Sequence, residues 1–224
     1  MMGKTLCIIT IGQSPRVDMV TAITKYMPSE IRVVEKGVLD DLSAAEILAI
    51  APQGGQETLV SRLRDGSSVT LGKEYIMAAL EKLIADCQKE DIDMTLLACT
   101  GKFEPFQSTI PIVYPDYLLS HVVKGVFRKG QLGIVIPLLE QQKSIMEKWN
   151  DAGFSCSVLA CSPYDFQAEK LISVAKEMDK LPVKAIVLDC MGYTEDMKRL
   201  MMQHTSKPVL VARNVVFSAL AEIL

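Results

Sequence analysis

The sequence predicts an α/β protein with mainly parallel sheets, built as two similar halves. Three observations carry that prediction. Short apolar, β-branched runs alternate with helix-period segments along the whole chain, the pattern of strands joined by crossover helices. The pattern then restarts: Leu6-Cys7-Ile8-Ile9-Thr10-Ile11 is answered by Leu132-Gly133-Ile134-Val135-Ile136-Pro137. Finally, two apolar runs end in the same way, Thr95-Leu96-Leu97-Ala98-Cys99-Thr100-Gly101 and Ile186-Val187-Leu188-Asp189-Cys190-Met191-Gly192. Each reads as a buried strand, a thiol at its end, and a glycine turn.

Taken in order, Thr5 to Gly12 is the first strand. Ser14-Pro15 reads as an N-cap followed by proline at the first helical position, opening a helix to about Tyr26. Ile31 to Val38 is a second strand, and Ser43-Ala44-Ala45-Glu46 has the form of a capping box. From Ala51 to Gly72 the pattern weakens: a loop at Pro52-Gln53-Gly54-Gly55, one or two helical turns over Glu57–Arg64, a turn at Asp65-Gly66, and a short edge strand over Ser68–Leu71. Lys73 to Lys89 is helical, with Ile76, Leu80, Leu83, Ile84 and Cys87 on one face. The first thiol strand runs from Met94 to Thr100, and after a loop come a strand over Thr109–Tyr114 and a helix over Asp116–Phe127.

Lys129-Gly130 is the turn at which the alternation restarts. Gln131–Pro137 is a strand, Leu139–Ala152 a helix, Cys156–Cys161 a strand and Asp165–Asp179 a helix. The second thiol strand, Lys184–Cys190, is followed by a helix over Thr194–His204, a strand over Pro208–Ala212, and a last helix capped by Asn214. The expected lobes are therefore 1–128, completed by the C-terminal helix 214–224, and 129–213. The first half is the longer, and the weakly patterned stretch 38–72 is the place for an insertion, read as a flap or an edge elaboration.

Composition bounds the function. The chain has 224 residues, 49% hydrophobic and 23% charged, with a net charge of −3. That is long enough for a substantial core in one or two domains. The small negative charge and scattered basic residues point away from nucleic acid and from an anionic membrane surface. The longest apolar run, Leu132–Leu139, is too short to span a membrane and holds Pro137. No leader is read at the start, so a cytoplasmic protein with six reduced cysteines is expected. No C-x-x-C occurs and the histidines are His121 and His204, so neither a metal nor another cofactor is expected.

In open α/β sheets, ligands bind beyond the carboxyl ends of the strands, where both Cys99 and Cys190 are expected. Two thiols on opposite walls of one cleft can take a carbon-bound proton from one face and return a proton to the other. Backbone N–H groups at Gly101 and Gly192 suit a carboxylate or an enolate-like transition state. For either cysteine alone, a small core residue is the competing reading. Cys7, Cys87, Cys156 and Cys161 are read as core.

The opening Thr10-Ile11-Gly12-Gln13-Ser14-Pro15-Arg16, the segment Arg62-Leu63-Arg64-Asp65-Gly66 and the second thiol segment Leu188-Asp189-Cys190-Met191-Gly192 resemble the AroM family. That family is a branch of the aspartate/glutamate racemase superfamily. The Cys99-Thr100 pair, the alternation and the segment Pro208–Leu224 carry the wider likeness. The resemblance implies two flavodoxin-like, doubly wound lobes and a cleft holding two cysteines. It also implies activities such as racemisation, maleate isomerisation and arylmalonate decarboxylation, and an association with aromatic amino-acid (shikimate pathway) genes. Cys99 and Cys190 match the catalytic positions. Thr100-Gly101 stands where racemases carry Asn-Thr, and Met191-Gly192 where they carry Thr-His. Gln13, Ser14, Arg16, Thr100, Gly101, Met191, Gly192 and Asn214 are the expected substrate-binding set, with Arg16 suited to holding a small carboxylate bidentately. A racemase- or isomerase-like enzyme and a non-catalytic metabolite-binding or regulatory protein both fit. Thiol–disulfide redox fits less well without C-x-x-C. A homo-oligomer stays open.

Overall fold

Every residue of the first strand is buried, which is what a β-branched run covered on both faces by helices requires. The structure is a computed structural model and describes residues 3–224. The chain divides into two units. One runs to Pro115 and takes back Phe217–Leu224; the other is Asp116–Val216.

The first unit contains β1 (Thr5–Thr10), α1 (Val17–Ile23), β2 (Arg32–Gly37), α2 (Ala44–Ala49), β3 (Thr58–Arg62), β4 (Ser68–Gly72), α3 (Lys73–Cys87), β5 (Met94–Leu97) and β6 (Ile112–Val113). Its main sheet has the order β2-β1-β5-β6, and all of its pairs are parallel. Ile76, Leu80, Ile84 and Cys87 of α3 recur at helical spacing and pack on Cys7 and Ile9 of the central strand. The stretch 38–72 contains α2 and the antiparallel hairpin β3–β4. Ser43 closes the expected capping box with Glu46.

The hairpin corrects one expectation. Glu57–Arg64, read as helical turns, is mostly the strand β3. Its partner β4 lies across the Asp65-Gly66 turn, where Gly66 has φ +92°. The pairing decides the conformation, and local periodicity does not contain it.

The second unit contains α4 (Pro115–Phe127), apart from its first residue, then β7 (Gly130–Ile136), α5 (Gln142–Asp151), β8 (Phe154–Ala160), α6 (Ala168–Lys180), β9 (Ile186–Leu188), α7 (Glu195–Met202), β10 (Val209–Val211) and the start of α8 (Ala212–Ile223). Its sheet has the order β10-β9-β7-β8, again all parallel. The period of two along β7 is visible in the packing. Leu132, Ile134 and Ile136 meet α4 and α5 through Leu119, Val123, Ile145 and Trp149. Val135 faces the other way, in the core formed by Leu171, Ala175 and Met178 of α6 with Met197 and Met201 of α7.

The two sheets have the same topology. Reading β7, β8, β9 and β10 for β1, β2, β5 and β6 turns one strand order into the other. The repeat seen in the sequence is thus a repeat of central strands. Between β2 and α3 the first unit carries 38–72; between β8 and α6 the second carries only 161–167. The protein has two flavodoxin-like parallel sheets, the first with an added helix and hairpin.

Candidate functional site

Both cysteines occupy equivalent backbone positions. β5 ends at Leu97, and the Ala98 N–H still donates to Ile9 O of the central strand at 2.8 Å. Cys99 follows, and the Gly101 N–H donates to its Sγ at 3.4 Å. β9 ends at Leu188, and the Asp189 N–H donates to Val135 O of its own central strand at 2.9 Å. Cys190 follows, and the Gly192 N–H donates to its Sγ, also at 3.4 Å. An N–H aimed at sulfur favours negative charge there.

Neither glycine has a positive φ among the described residues, so handedness is not why glycine is present. Close packing is. A Cβ on Gly101 would lie 3.0 Å from Leu59 Cδ2 and 3.4 Å from both Cys99 Sγ and Phe103 Cε2. A Cβ on Gly192 would lie 2.7 and 2.8 Å from Cε1 and Cζ of Tyr164, and 2.9 Å from Pro163 Cγ. Thr100 and Met191, between thiol and glycine, are both buried.

The surroundings of Cys190 are polar and titratable. The Tyr164 hydroxyl lies 3.4 Å from Cys190 Sγ. Tyr193, fully buried, donates its hydroxyl to Cys161 O at 2.7 Å, and burial pushes its ionisation well above the ordinary tyrosine value. Burial also pushes the Cys161 thiol up. Asp189 is buried and binds Lys148 Nζ at 2.8 Å through Oδ1 and at 2.6 Å through Oδ2. It also accepts from Trp149 Nε1 at 2.8 Å. Near this pair Asp116 is buried, and its Oδ1 has no hydrogen-bond partner. Burial pushes the Asp116 carboxyl up to about 6, with Lys148 opposing the shift and Asp189 adding to it. Burial raises Cys156 on the same side to about 11.

The loop after β1 behaves differently from its sequence reading. α1 begins at Val17, its N-cap is Arg16, and no side chain caps it. Ser14, expected to cap, donates its hydroxyl to Asp40 Oδ2 at 2.6 Å, and its N–H reaches Asp40 Oδ1 at 2.6 Å. Because the helix starts only at Val17, Ser14 lies before the N-cap position, and its hydroxyl donates to the carboxylate across the gap instead. Gly37 N–H and Arg64 Nη2 also donate to Asp40, at 2.7 and 3.2 Å. Gln13 spans the same gap, donating to Leu39 O and accepting from the Arg64 N–H. The two family-like segments of the first unit, 10–16 and 62–66, thus form one hydrogen-bonded structure. Arg16 is 1% exposed, and its guanidinium binds Asp18 bidentately through Nε and Nη2, both at 2.9 Å. The fork expected to hold a carboxylate already grips one from its own helix.

Asn214 lies within the first turn of α8 and does not cap it, because β10 runs into the helix at Ala212 without a loop. Its amide donates to Glu195 Oε2. Tyr164, Asp40 and Lys148 were not singled out from the sequence. For Tyr164 a signal existed, since it sits in the short loop beyond the carboxyl end of a predicted strand. Asp40 and Lys148 are recognisable only from their partners. Among the described residues, no three His, Cys, Asp or Glu side chains gather as a metal site needs. None of the described helices is long and apolar enough to cross a membrane.

A family model described as AroM protein matches residues 6–224. The chain belongs to the AroM family. Solved structures agree on the fold. Arylmalonate decarboxylase is 11% identical with a TM-score of 0.63, covering 97% of this chain and 92% of its own. The maleate isomerase Iso from Pseudomonas putida S16 is 12% identical with a TM-score of 0.64, covering 98% and 93%. The aspartate racemase of Picrophilus torridus is 16% identical with a TM-score of 0.58, covering 99% and 94%. No curated protein matches the chain in sequence. At these identities the structural likeness establishes that this AroM chain has the racemase-like two-sheet fold.

Proposed function

We propose that this AroM protein is a cofactor-independent, racemase- or isomerase-like enzyme acting on a small carboxylate, with Cys99 and Cys190 as acid and base on one substrate. One thiolate removes a proton from carbon and the other thiol delivers a proton to the opposite face, so the cysteine pair ends with its protonation exchanged. Thr100, Gly101, Met191 and Gly192 contact the substrate in this reading. The Gln13-Ser14-Arg16 loop and Asn214 border it. The observation that carries the reading is the repeated device: a thiol one residue past the last ladder bond, with the N–H two residues on aimed at sulfur, in both sheets. The fold shared with proteins titled racemase, isomerase and decarboxylase supports it. We place the substrate among the acids of aromatic amino-acid metabolism.

The test is exchange of substrate Cα–H for deuterium, followed by NMR across a panel of small mono- and dicarboxylates that includes shikimate-pathway acids. Exchange in the wild type that is abolished by Cys99→Ser and by Cys190→Ser is the expected result. Exchange unchanged in both variants overturns the mechanism. Tight binding by calorimetry, retained in the double variant without exchange, makes the protein a metabolite-binding or regulatory member of the fold. That second reading draws on the internal engagement of Gln13, Ser14 and Arg16.

A further inference from the structure

We propose that Tyr164 is a positioning residue that holds Cys190 as the resting thiolate, the form in which that cysteine can act as the base of the pair. The inference rests on the two-thiol reading above and deepens it by naming the side chain that sets the charge on one thiol. Cys190 Sγ receives the Gly192 N–H at 3.4 Å and lies 3.4 Å from the Tyr164 hydroxyl. An amide N–H can only donate, and because a thiol is ordinarily more acidic than a phenol, the phenol keeps its proton and donates once the thiol has lost its own. Two donors converging on one sulfur favour its charged form.

The phenol is held in place. Its ring lies against Gly192 so closely that an added Cβ would sit 2.7 Å from Cε1. The loop carrying it is tightened at Ser162, whose Oγ accepts the N–H groups of Tyr164 and Asp165 at 3.1 and 3.3 Å. The other titratable groups near Cys190 have their own engagements. Tyr193 donates to Cys161 O, Asp189 faces Lys148 and Trp149, and burial pushes the Cys161 thiol up. At Cys99 the same backbone N–H is present, but the side chains packed on the glycine are Leu59 and Phe103.

Tyr164→Phe keeps the ring over Gly192 and removes the hydroxyl. The probe is iodoacetamide, with Cys190 alkylation followed by peptide mass spectrometry across pH in wild type, Tyr164→Phe and Cys99→Ser proteins. The expected result is a fall of about two- to fivefold in the Cys190 rate at neutral pH, which is what a resting thiolate loses when its midpoint rises by about one unit, the size of one hydrogen bond to a charged group. The rate–pH midpoint should move up by about one unit, with the high-pH plateau retained and Cys99 alkylation unchanged. An unmoved midpoint overturns the proposal. So does a uniform loss of rate at every pH, which is the signature of altered packing. Gly192→Ala, which displaces the ring, should move the midpoint in the same direction; no movement there counts against the proposal even if Tyr164→Phe misfolds. Alkylation needs no turnover, so a protein without deuterium exchange can still pass or fail this test. Where exchange is present, Tyr164→Phe should lower kcat and leave KM within about twofold (a thiolate effect on the proton-transfer step).

Discussion

The corners at Cys99 and Cys190 have one backbone and two chemistries. In both, the residue before the cysteine finishes the ladder to the central strand, and the glycine after it donates to sulfur at 3.4 Å. The preceding residue is Ala98 in one and Asp189 in the other, both buried. The first is filled as apolar core; the second anchors an ion pair with Lys148. Above the glycine, Leu59 and Phe103 in one corner answer Tyr164 and Pro163 in the other. Parallel-strand geometry therefore places a thiol, while the loops and the layer beneath decide what that thiol can do. The loops differ most: 38–72 in the first unit and 161–167 in the second.

The largest break in this comparison should come from beneath the second thiol. Lys148→Ala leaves Asp189 buried and unpaired by its lysine, and should cost about 3–5 kcal/mol in chemical denaturation. Lys148→Met with Asp189→Leu should recover most of that loss, because an apolar pair resembles the Ala98 side of the molecule. A single-variant loss under about 1 kcal/mol would mean that the pair is effectively solvated.

Next in size is the insertion. Asp40 accepts from Ser14, Gly37 and Arg64. Asp40→Ala should cost about 2–3 kcal/mol as those donors lose a charged acceptor. Hydrogen exchange should rise in 10–16 and 62–66 together. A rise confined to one segment would separate what the structure joins.

The glycines offer a matched pair. Gly192→Ala meets an aromatic ring at 2.7 Å, whereas Gly101→Ala meets the end of a leucine side chain at 3.0 Å. The former should cost about 1–3 kcal/mol and the latter less than about 1 kcal/mol, because the leucine tip can move a few tenths of an ångström. Equal costs would show that Tyr164 is free to swing away.

The smallest effect is a pH dependence confined to the second unit. Asp116 titrates at about 6 when folded, against 3.8 for the ordinary carboxyl. The folded state therefore holds that proton more tightly than the unfolded chain does. Stability is lost as pH rises between the two values, and the loss is complete above the folded one. Asp116→Asn should raise stability by on the order of 1–2 kcal/mol at pH 8 and change it little at pH 4. Urea midpoints at the two pH values decide it; a gain present equally at both would assign the effect to packing.

How much of this could be read from the sequence follows a physical line. Central strands such as Leu6–Ile11 and Leu132–Ile136 are apolar on both faces, so their own residues announce them. Cys99 and Cys190 were visible because strand, thiol and glycine are contiguous. β3 was misread because its partner lies across a turn, and a hairpin is a property of two segments. Ser14 and Asn214 were read as caps on local grounds, and long-range partners, Asp40 and Glu195, hold them instead. Arg16 was recognised as a bidentate group, and its Nε and Nη2 meet Asp18, two residues away in its own chain, a pairing the sequence reading did not name.

The tie between Gln13, Ser14, Asp40 and Arg64 has a consequence for descent. Segments 10–16 and 62–66 lie far apart in sequence, yet each satisfies polar groups of the other. A lineage that lost the hairpin would strand the loop, and a lineage that redesigned the loop would strand the hairpin. Substitutions at positions 13, 14, 40 and 64 should therefore occur in concert among relatives. The two segments are expected to be inherited, or discarded, as a single character.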